Sequence, residues 1–384
     1  MSKKAKTTKK QLIVEDDSTE LNINKIYNAV SLFSGLGGDS LGMTKAGCKV
    51  IGYNELNPNF CKSHDANFTD CDLICDGKIN DISKLKDECF TKFKGKTDVL
   101  FAGFPCTSFS SAGQRKLDDP RDTLFLEFLR ATKLIEPSLI IGENVKGLLT
   151  KKTSKDELFI NIIVSEFEKI GYDVIFQIFK TEKYGVPQSR ERLIIVGVKK
   201  DNPYGWTPKF PEEIGGNPNL KSIVTYSMEG AVKVDPNWFL TIPEECIIKK
   251  MDDTTVYPEN NNGHPYLLSK INANETNRYY EGKQHENLFS FGKRISPIHC
   301  EISDIRNPSK TIICSYDHQP RLFVPLQNAS GCYLRMFTPD ELKQIQGFPS
   351  DYIVCGTTKE KIVQIGNAVP PPLIRAIVEK IIKN

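Results

Sequence analysis

A mostly parallel α/β sheet with helices on both faces is the fold class that this 384-residue sequence predicts. Apolar runs of strand length alternate with helix-spaced apolar patterns from about Tyr27 to Lys200. The first run feeds a glycine-rich turn and then a helix pattern. A later run, Asp98-Val99-Leu100-Phe101-Ala102, closes on Gly103-Phe104-Pro105-Cys106. A continuous apolar run stopped by Gly and Pro suits a buried parallel strand at its carboxyl end, where open α/β sheets hold their ligands. The Cys106 sulfur is therefore expected at a site edge. The other reading is a buried inert thiol, the usual fate of a free cysteine.

Composition sets the outer limits. Hydrophobic residues are 39% and charged residues 26%, ordinary for a soluble globular chain. The length allows a large core and more than one domain. The net charge of +3 permits a nucleic-acid partner without requiring one. No apolar run approaches the roughly 20 residues of a membrane span, so no membrane partner is expected. The N-terminus has no apolar signal region. Eleven cysteines, an odd number without a Cys-x-x-Cys pair, predict reduced thiols in a cytoplasmic setting, or a nuclear one in a eukaryotic host. Five histidines fall at no metal-ligand spacing, and no metal is expected. Residues 1–24 read as a disordered basic arm carrying Lys3, Lys4, Lys6, Lys9 and Lys10.

In chain order, Ala29–Phe33 reads as a strand, Ser34-Gly35-Leu36-Gly37-Gly38-Asp39 as the turn, and Leu41, Met43 and Ala46 as a short helix pattern. Glycines let a backbone approach a ligand closely, and a helix N-terminus offers free N–H groups. The turn is not G-x-G-x-x-G, which speaks against a nicotinamide cofactor. A strand over Lys49–Asn54 ends at Glu55, an acid about 20 positions beyond the turn and placed to accept from ribose hydroxyls. A cap acid ahead of Pro58 is the alternative. Asn80-Asp81-Ile82 lies in a loop. Thr107–Arg121 is polar and aperiodic, as a functional loop over a site would be.

A helix is expected over Thr123–Ile135, with Leu124, Phe128, Ala131 and Ile135 on one face. The strand Ser138–Ile141 leads into Gly142-Glu143-Asn144-Val145, which sets Glu143 at a second strand tip facing the crevice of Cys106. A helix over Glu157–Ile170, a strand over Tyr172–Phe179, the turn Tyr184–Arg192 and a strand over Leu193–Val198 follow. After Lys200 the alternation stops and Pro, Asn and Gly become dense, which predicts an irregular, loop-rich second domain over 201–330. It holds 13 Lys and Arg against 16 Asp and Glu, so nucleic acid would meet local patches such as Lys293-Arg294. Its loops could read base edges or be a plain structural insertion. Regular pattern returns at Leu334. Thr338, Pro339 and Glu341 form a capping box, and Gly347-Phe348-Pro349 ends that helix. Gln364–Pro372 reads as a turn. Leu373, Ile377, Val378 and Ile381 give the last helix an apolar face that needs the first sheet.

Six motifs occur in order: Phe33-Ser34-Gly35-Leu36-Gly37-Gly38, Gly103-Phe104-Pro105-Cys106, Glu143-Asn144-Val145, Gln188-Ser189-Arg190-Glu191-Arg192, Gln346-Gly347-Phe348-Pro349 and Gly366-Asn367-Ala368-Val369. Over 27–200 and 334–384 the chain resembles DNA (cytosine-5) methyltransferases. The resemblance implies a Rossmann-like class I methyltransferase fold over 25–200 and 331–384, with a target-recognition domain at 201–330. It implies double-stranded DNA as substrate and S-adenosylmethionine as donor, leaving S-adenosylhomocysteine. Cys106 would add to C6 of a flipped cytosine, Glu143 would act at N3, and Arg192 with Arg190 would hold the O2 side. Phe33, Gly35, Leu36, Gly37 and Gly38 would line the donor, Glu55 would hold its ribose, and Asp81 its adenine amino group. Leu56, Ile82, Gly103, Pro105, Asn367 and Val369 would complete the pocket. Ser110, Gln114, Arg121 and Gln188 would meet DNA, and the 107–121 loop would close over the base. Thr107 stands where many members have Gln, and Gln344 where Arg is frequent. A monomer is implied, either partnered with a restriction endonuclease or solitary. A tRNA methyltransferase of the same fold is one alternative, though its Cys-Phe-Thr signature is absent. A catalytically silent DNA-binding protein is the other.

Overall fold

The computed structural model describes residues 25–77, 80–105, 124–153, 156–240, 242–256, 268–270, 288–291, 300–317 and 320–383. The basic arm, Cys106, Ser110, Gln114, Arg121, the 107–121 loop and Lys293-Arg294 lie outside them. In the first half, the strands are β1 (Tyr27–Leu32), β2 (Cys48–Asn54), β3 (Asp72–Leu73), β4 (Val99–Ala102), β5 (Leu139–Val145), β6 (Tyr172–Lys180), β7 (Gln188–Ser189) and β8 (Glu191–Lys199). The helices are α1 (Gly38–Lys45), α2 (Pro58–Asn67), α3 (Glu88–Thr91), α4 (Leu124–Ile135) and α5 (Phe159–Lys169). Beyond them lie β9 (Val232–Val234), β10 (Ile248–Lys250), β11 (Leu268–Lys270), β12 (Leu288–Phe291), β13 (Cys300–Ile302), β14 (Ser309–Lys310), β15 (Leu322–Asn328) and β16 (Gly331–Met336). The chain closes with α6 (Pro339–Ile345), α7 (Thr358–Asn367) and α8 (Pro371–Ile382).

The main sheet runs β3-β2-β1-β4-β5-β8-β6. It is parallel from β3 to β5, and β8 is antiparallel to both its neighbours. All four residues of β4 are buried, as a strand covered on both faces requires. On one face Val30, Leu100 and Ile140 pack with Phe128 and Ala131 of α4 and Phe167 of α5. On the other, Ala29, Val99 and Ile141 pack with Leu373, Ile377, Val378 and Ile381 of α8. The C-terminal helix thus returns to the first sheet, and helices cover both faces.

Five expectations change. β5 continues to Val145, because β8 supplies ladder partners for Glu143 and Val145, so Glu143 lies inside a strand rather than beyond its tip. The segment after Lys200 is not irregular: β11-β12-β13-β15-β16-β9 form a sheet, with β10 on β15. That sheet runs to Met336, past residue 331, because β16 pairs with both β15 and β9. Gln364–Asn367 ends a helix rather than forming a turn, and Thr357 and Glu360 close a capping box at its start. The thiols are not all reduced. Cys75 and Cys89 are joined in a disulfide, their Cα atoms 5.4 Å apart and so within the span such a bond bridges.

Candidate active site at the carboxyl edge of the sheet

The glycine-rich turn reverses the chain between β1 and α1. Phe33, Gly35 and Gly37 take φ of 56°, 56° and 88°. That is unremarkable for glycine and strained for Phe33, and strain of this kind gathers at ligand sites. A Cβ placed on Gly35 would meet nothing within 4 Å. Its N–H donates to Oε2 of Glu55 at 2.8 Å, while the Asn57 N–H donates to Oε1 at 2.8 Å. Burial pushes the Glu55 carboxyl up, and these backbone donors pull it back. Asn57, not Glu55, caps α2, accepting from the Asn59 N–H at 2.9 Å. The cap reading of Glu55 is thus excluded. Leu56, beside it, leaves a large side chain 64% exposed.

The rest of the turn faces inward. A Cβ on Gly37 would lie 2.8 Å from the Tyr352 hydroxyl, and one on Gly38 would lie 2.0 Å from the Val369 carbonyl oxygen. Both positions are closed by protein, so their missing side chains serve packing. Leu36 is fully buried in the core of the second half. Ile82 is likewise buried, under α4, so its side chain does not line an open pocket. Asp81 accepts from the Ser83 N–H at 3.1 Å and its hydroxyl at 2.7 Å, and Lys84 lies 3.1 Å away. The Asn54 side chain donates to the Asn80 carbonyl at 3.0 Å, which hangs this loop from the tip of β2.

Glu143 and Arg192 meet at the same edge. Arg192 Nε lies 2.7 Å from Glu143 Oε1, with both side chains nearly buried. Burial lowers the Arg192 guanidinium from its ordinary range, and Glu143 opposes that shift. A Cβ on Gly103 would sit 3.8 Å from both Glu143 Oε2 and the Phe33 carbonyl oxygen, so the ends of β1 and β4 meet the Glu143 side chain of β5 here. Asn144 donates through Nδ2 to the Phe104 carbonyl at 3.0 Å. This bond fixes the backbone that leads through Pro105 to Cys106, itself outside the described residues. Asn144 is absent from the site residues expected from sequence; its signal is its place in the Glu-Asn-Val run.

Two expected substrate residues do not join them. Arg190 is fully buried, and its guanidinium donates to the Ile312 and Gly366 carbonyls at 3.1 Å each. Gln188 is buried too. It donates to the Gln346 side chain, which donates on to the Ala368 carbonyl, and it accepts from the Ile312 N–H at 3.0 Å. Both hold the Gly366–Val369 segment in place instead of facing a base. That segment leaves Asn367 exposed and seats Val369 against Gly38. Among the described residues no group of three or more acidic, His or Cys side chains could hold a metal. No helix among them is long and apolar enough to cross a membrane.

The open face at Gly35, the Glu55 carboxylate beside it and the exposed Leu56 could hold a nucleoside. The Glu143–Arg192 pair beside them fits a polar heterocycle that must gain charge on reacting. Comparison with known proteins gives the family likeness. The profile of C-5 cytosine-specific DNA methylase matches residues 27–383. Type II methyltransferase M1.HphI of Haemophilus parahaemolyticus is 30% identical over 366 residues, covering 92% of this chain and 86% of that protein. Type II methyltransferase M.Eco47II of Escherichia coli is 30% identical over 376 residues, covering 95% and 81%. Among solved structures, Entamoeba histolytica methyltransferase EhMeth superposes with a TM-score of 0.60 at 16% identity, covering 93% of this chain and 98% of that one.

Proposed function

The chain belongs to the C-5 cytosine-specific DNA methylase family, and from that premise we propose how its residues divide the work of methylating cytosine at C5 in duplex DNA. S-adenosylmethionine is the methyl donor, and it supplies an electrophilic methyl group when bound. Glu55 holds its ribose hydroxyls on the carboxylate lone pairs that its bonds from Gly35 and Asn57 leave free. Leu56 covers the base, and Asp81 meets the adenine amino group. The open side of Gly35, the Phe33 backbone, Pro105, Asn367 and Val369 complete the cradle.

Cytosine C5 is too weak a nucleophile to take a methyl group unaided. The Cys106 thiolate forms a bond to C6, and the ring electrons move to C5 while N3 takes a proton. Glu143 hydrogen-bonds or protonates N3, and Arg192 stabilises the O2 side. Once C5 carries the methyl group, its proton passes to water, the C5–H electrons re-form the C5–C6 double bond and expel the Cys106 thiolate, and N3 returns its proton to Glu143. A base within the helix cannot reach this edge, so it is flipped out. The second sheet and its connections, inside residues 201–336, read the target sequence. The enzyme protects DNA against a cognate restriction endonuclease; the support is the Type II naming of its relatives M1.HphI and M.Eco47II.

The observation that carries this assignment is the Glu143–Arg192 pair, held 2.7 Å apart beside Gly103 and Phe33. Tritium from labelled S-adenosylmethionine should enter duplex DNA, and Cys106→Ser should abolish it. A fluorinated cytosine in the correct sequence context should leave a covalent adduct on Cys106. Label in RNA but not DNA would favour a tRNA substrate. DNA binding without label transfer would indicate a silent binding protein.

A further inference from the structure

Leu36 stands in the middle of the glycine-rich turn, yet its side chain belongs to the buried cluster of the other half of the molecule. It shares that core with Leu342 of α6, Phe348, Ile365 of α7, and Val324 and Leu334 of the second sheet. Its carbonyl oxygen is bound from the same side. The Tyr352 hydroxyl donates to it at 2.7 Å across a separation of 316 residues. Tyr352 is itself fixed. Lys343 Nζ donates to the Ser350 and Tyr352 carbonyls at 2.7 and 3.0 Å, and the Tyr352 ring packs on Phe348 at 4.7 Å between centroids. Gly37, the next residue, has no room for a Cβ against that hydroxyl.

The scaffold does not need this hydroxyl for its docking. α2 is bound to the C-terminal segment by separate contacts: Asn59 to Glu360 at 2.7 Å, Ser63 to Gln364 at 2.6 Å, and the Ile353 N–H to Asn67 at 3.0 Å. What the hydroxyl fixes is the Leu36–Gly37 peptide. That peptide follows Gly35, whose N–H holds Glu55. We infer that Tyr352 is a positioning residue for the methyl donor, through which the segment after α6, packed in one core with the second sheet, holds the glycine-rich turn in its binding shape. The inference rests on the reading above, in which this turn cradles S-adenosylmethionine. Leu36 supplies the anchor, Tyr352 sets the peptide plane, and Gly35 and Glu55 present the result to the ligand.

The test is calorimetric binding of S-adenosylhomocysteine to the full chain, which needs no knowledge of the target sequence. Tyr352→Phe keeps the ring and removes one neutral hydrogen bond, so the dissociation constant should rise about five-fold. The KM for the donor should rise equally, while kcat at saturating donor and the KM for unmethylated genomic DNA hold. Leu36→Ala withdraws the anchor without touching the hydroxyl, and should weaken binding in the same direction. A Tyr352→Phe protein that binds S-adenosylhomocysteine within two-fold of the wild type overturns the inference. So does one that loses kcat and DNA affinity in parallel, the signature of general loosening. Failure of the wild-type chain to bind S-adenosylhomocysteine at all would instead overturn the functional reading beneath it.

Discussion

Glu143 and Arg192 are diagonal neighbours across the antiparallel ladder of β5 and β8. Arg192 stands opposite Val145, and Glu143 opposite Ile194, so the two charged side chains lie on one face, two residues out of register. Long side chains span that diagonal, and here Nε and Oε1 come to 2.7 Å. The reversed strand β8 is what brings a guanidinium beside a carboxylate on the parallel strand β5. Arg192 occupies one carboxylate oxygen, while the other lies toward Gly103.

Glu143→Gln tests the proton at N3. The amide keeps the shape and loses the acid. Methyl transfer in a single turnover should fall about 100-fold or more, with S-adenosylhomocysteine affinity kept within two-fold. A glutamine variant at wild-type rate would remove Glu143 from the chemistry.

The two arginines of the Gln-Ser-Arg-Glu-Arg run should separate cleanly. Arg192→Met should cost about 100-fold or more in rate by removing a stabiliser of developing charge. Arg190→Met leaves the Ile312 and Gly366 carbonyls without their donors, and should lower unfolding free energy by roughly 2–4 kcal/mol in urea titrations. Comparable rate losses at equal stability would contradict this division.

Most of the main sheet is legible because its strands are apolar on both faces, and Glu143 is legible as an acid at the end of such a run. Arg190 is harder. Two positions from Arg192, it would share a face in an unbroken strand, but the break between β7 and β8 falls on it and turns it inward. Gly37 and Gly38 announce a turn, yet whether their bare faces meet ligand or protein depends on Tyr352 and Val369, more than 300 residues away. The capping box of α7 is local and readable at Thr357 and Glu360, but the prolines after it suggest a turn and obscure the helix. The second sheet draws its strands from segments far apart in the chain, a pattern no local period announces.

The Cys75–Cys89 bond closes the loop that carries Asp81. Protein isolated without reductant should be lighter by the two hydrogens lost, and Cys75→Ser should unfold with about 3 kcal/mol less stability. Eleven reactive thiols in denaturant, without reductant, would show that the bond does not form.

Two buried groups behind the glycine-rich turn titrate against each other. Burial raises Asp39 to about 7, although Ser31 and the backbone N–H groups of Asp39 and Ser40 oppose it; Glu143 adds to the rise. Burial drops His64 to about 3. Its Nε2 meets Ser40 at 3.0 Å, its ring stacks on Tyr53, and Nδ1 has no partner among the described residues. For Asp39 the folded state holds the proton longer, so its contribution is complete below the unfolded value near 4 and is lost as pH rises through 7. For His64 the folded state refuses the proton, so its contribution is present above about 6.5 and is lost as pH falls toward 3. Between about pH 4 and 6.5 the slopes have opposite sign and offset, each worth up to roughly 1.4 kcal/mol per pH unit. Asp39→Asn mimics the protonated acid and removes one arm. Relative to wild type, its stability in urea titrations at pH 4.5, 5.5 and 6.5 should therefore climb more steeply with pH. Parallel curves for the two proteins would mean that Asp39 carries no proton in the folded state over this range.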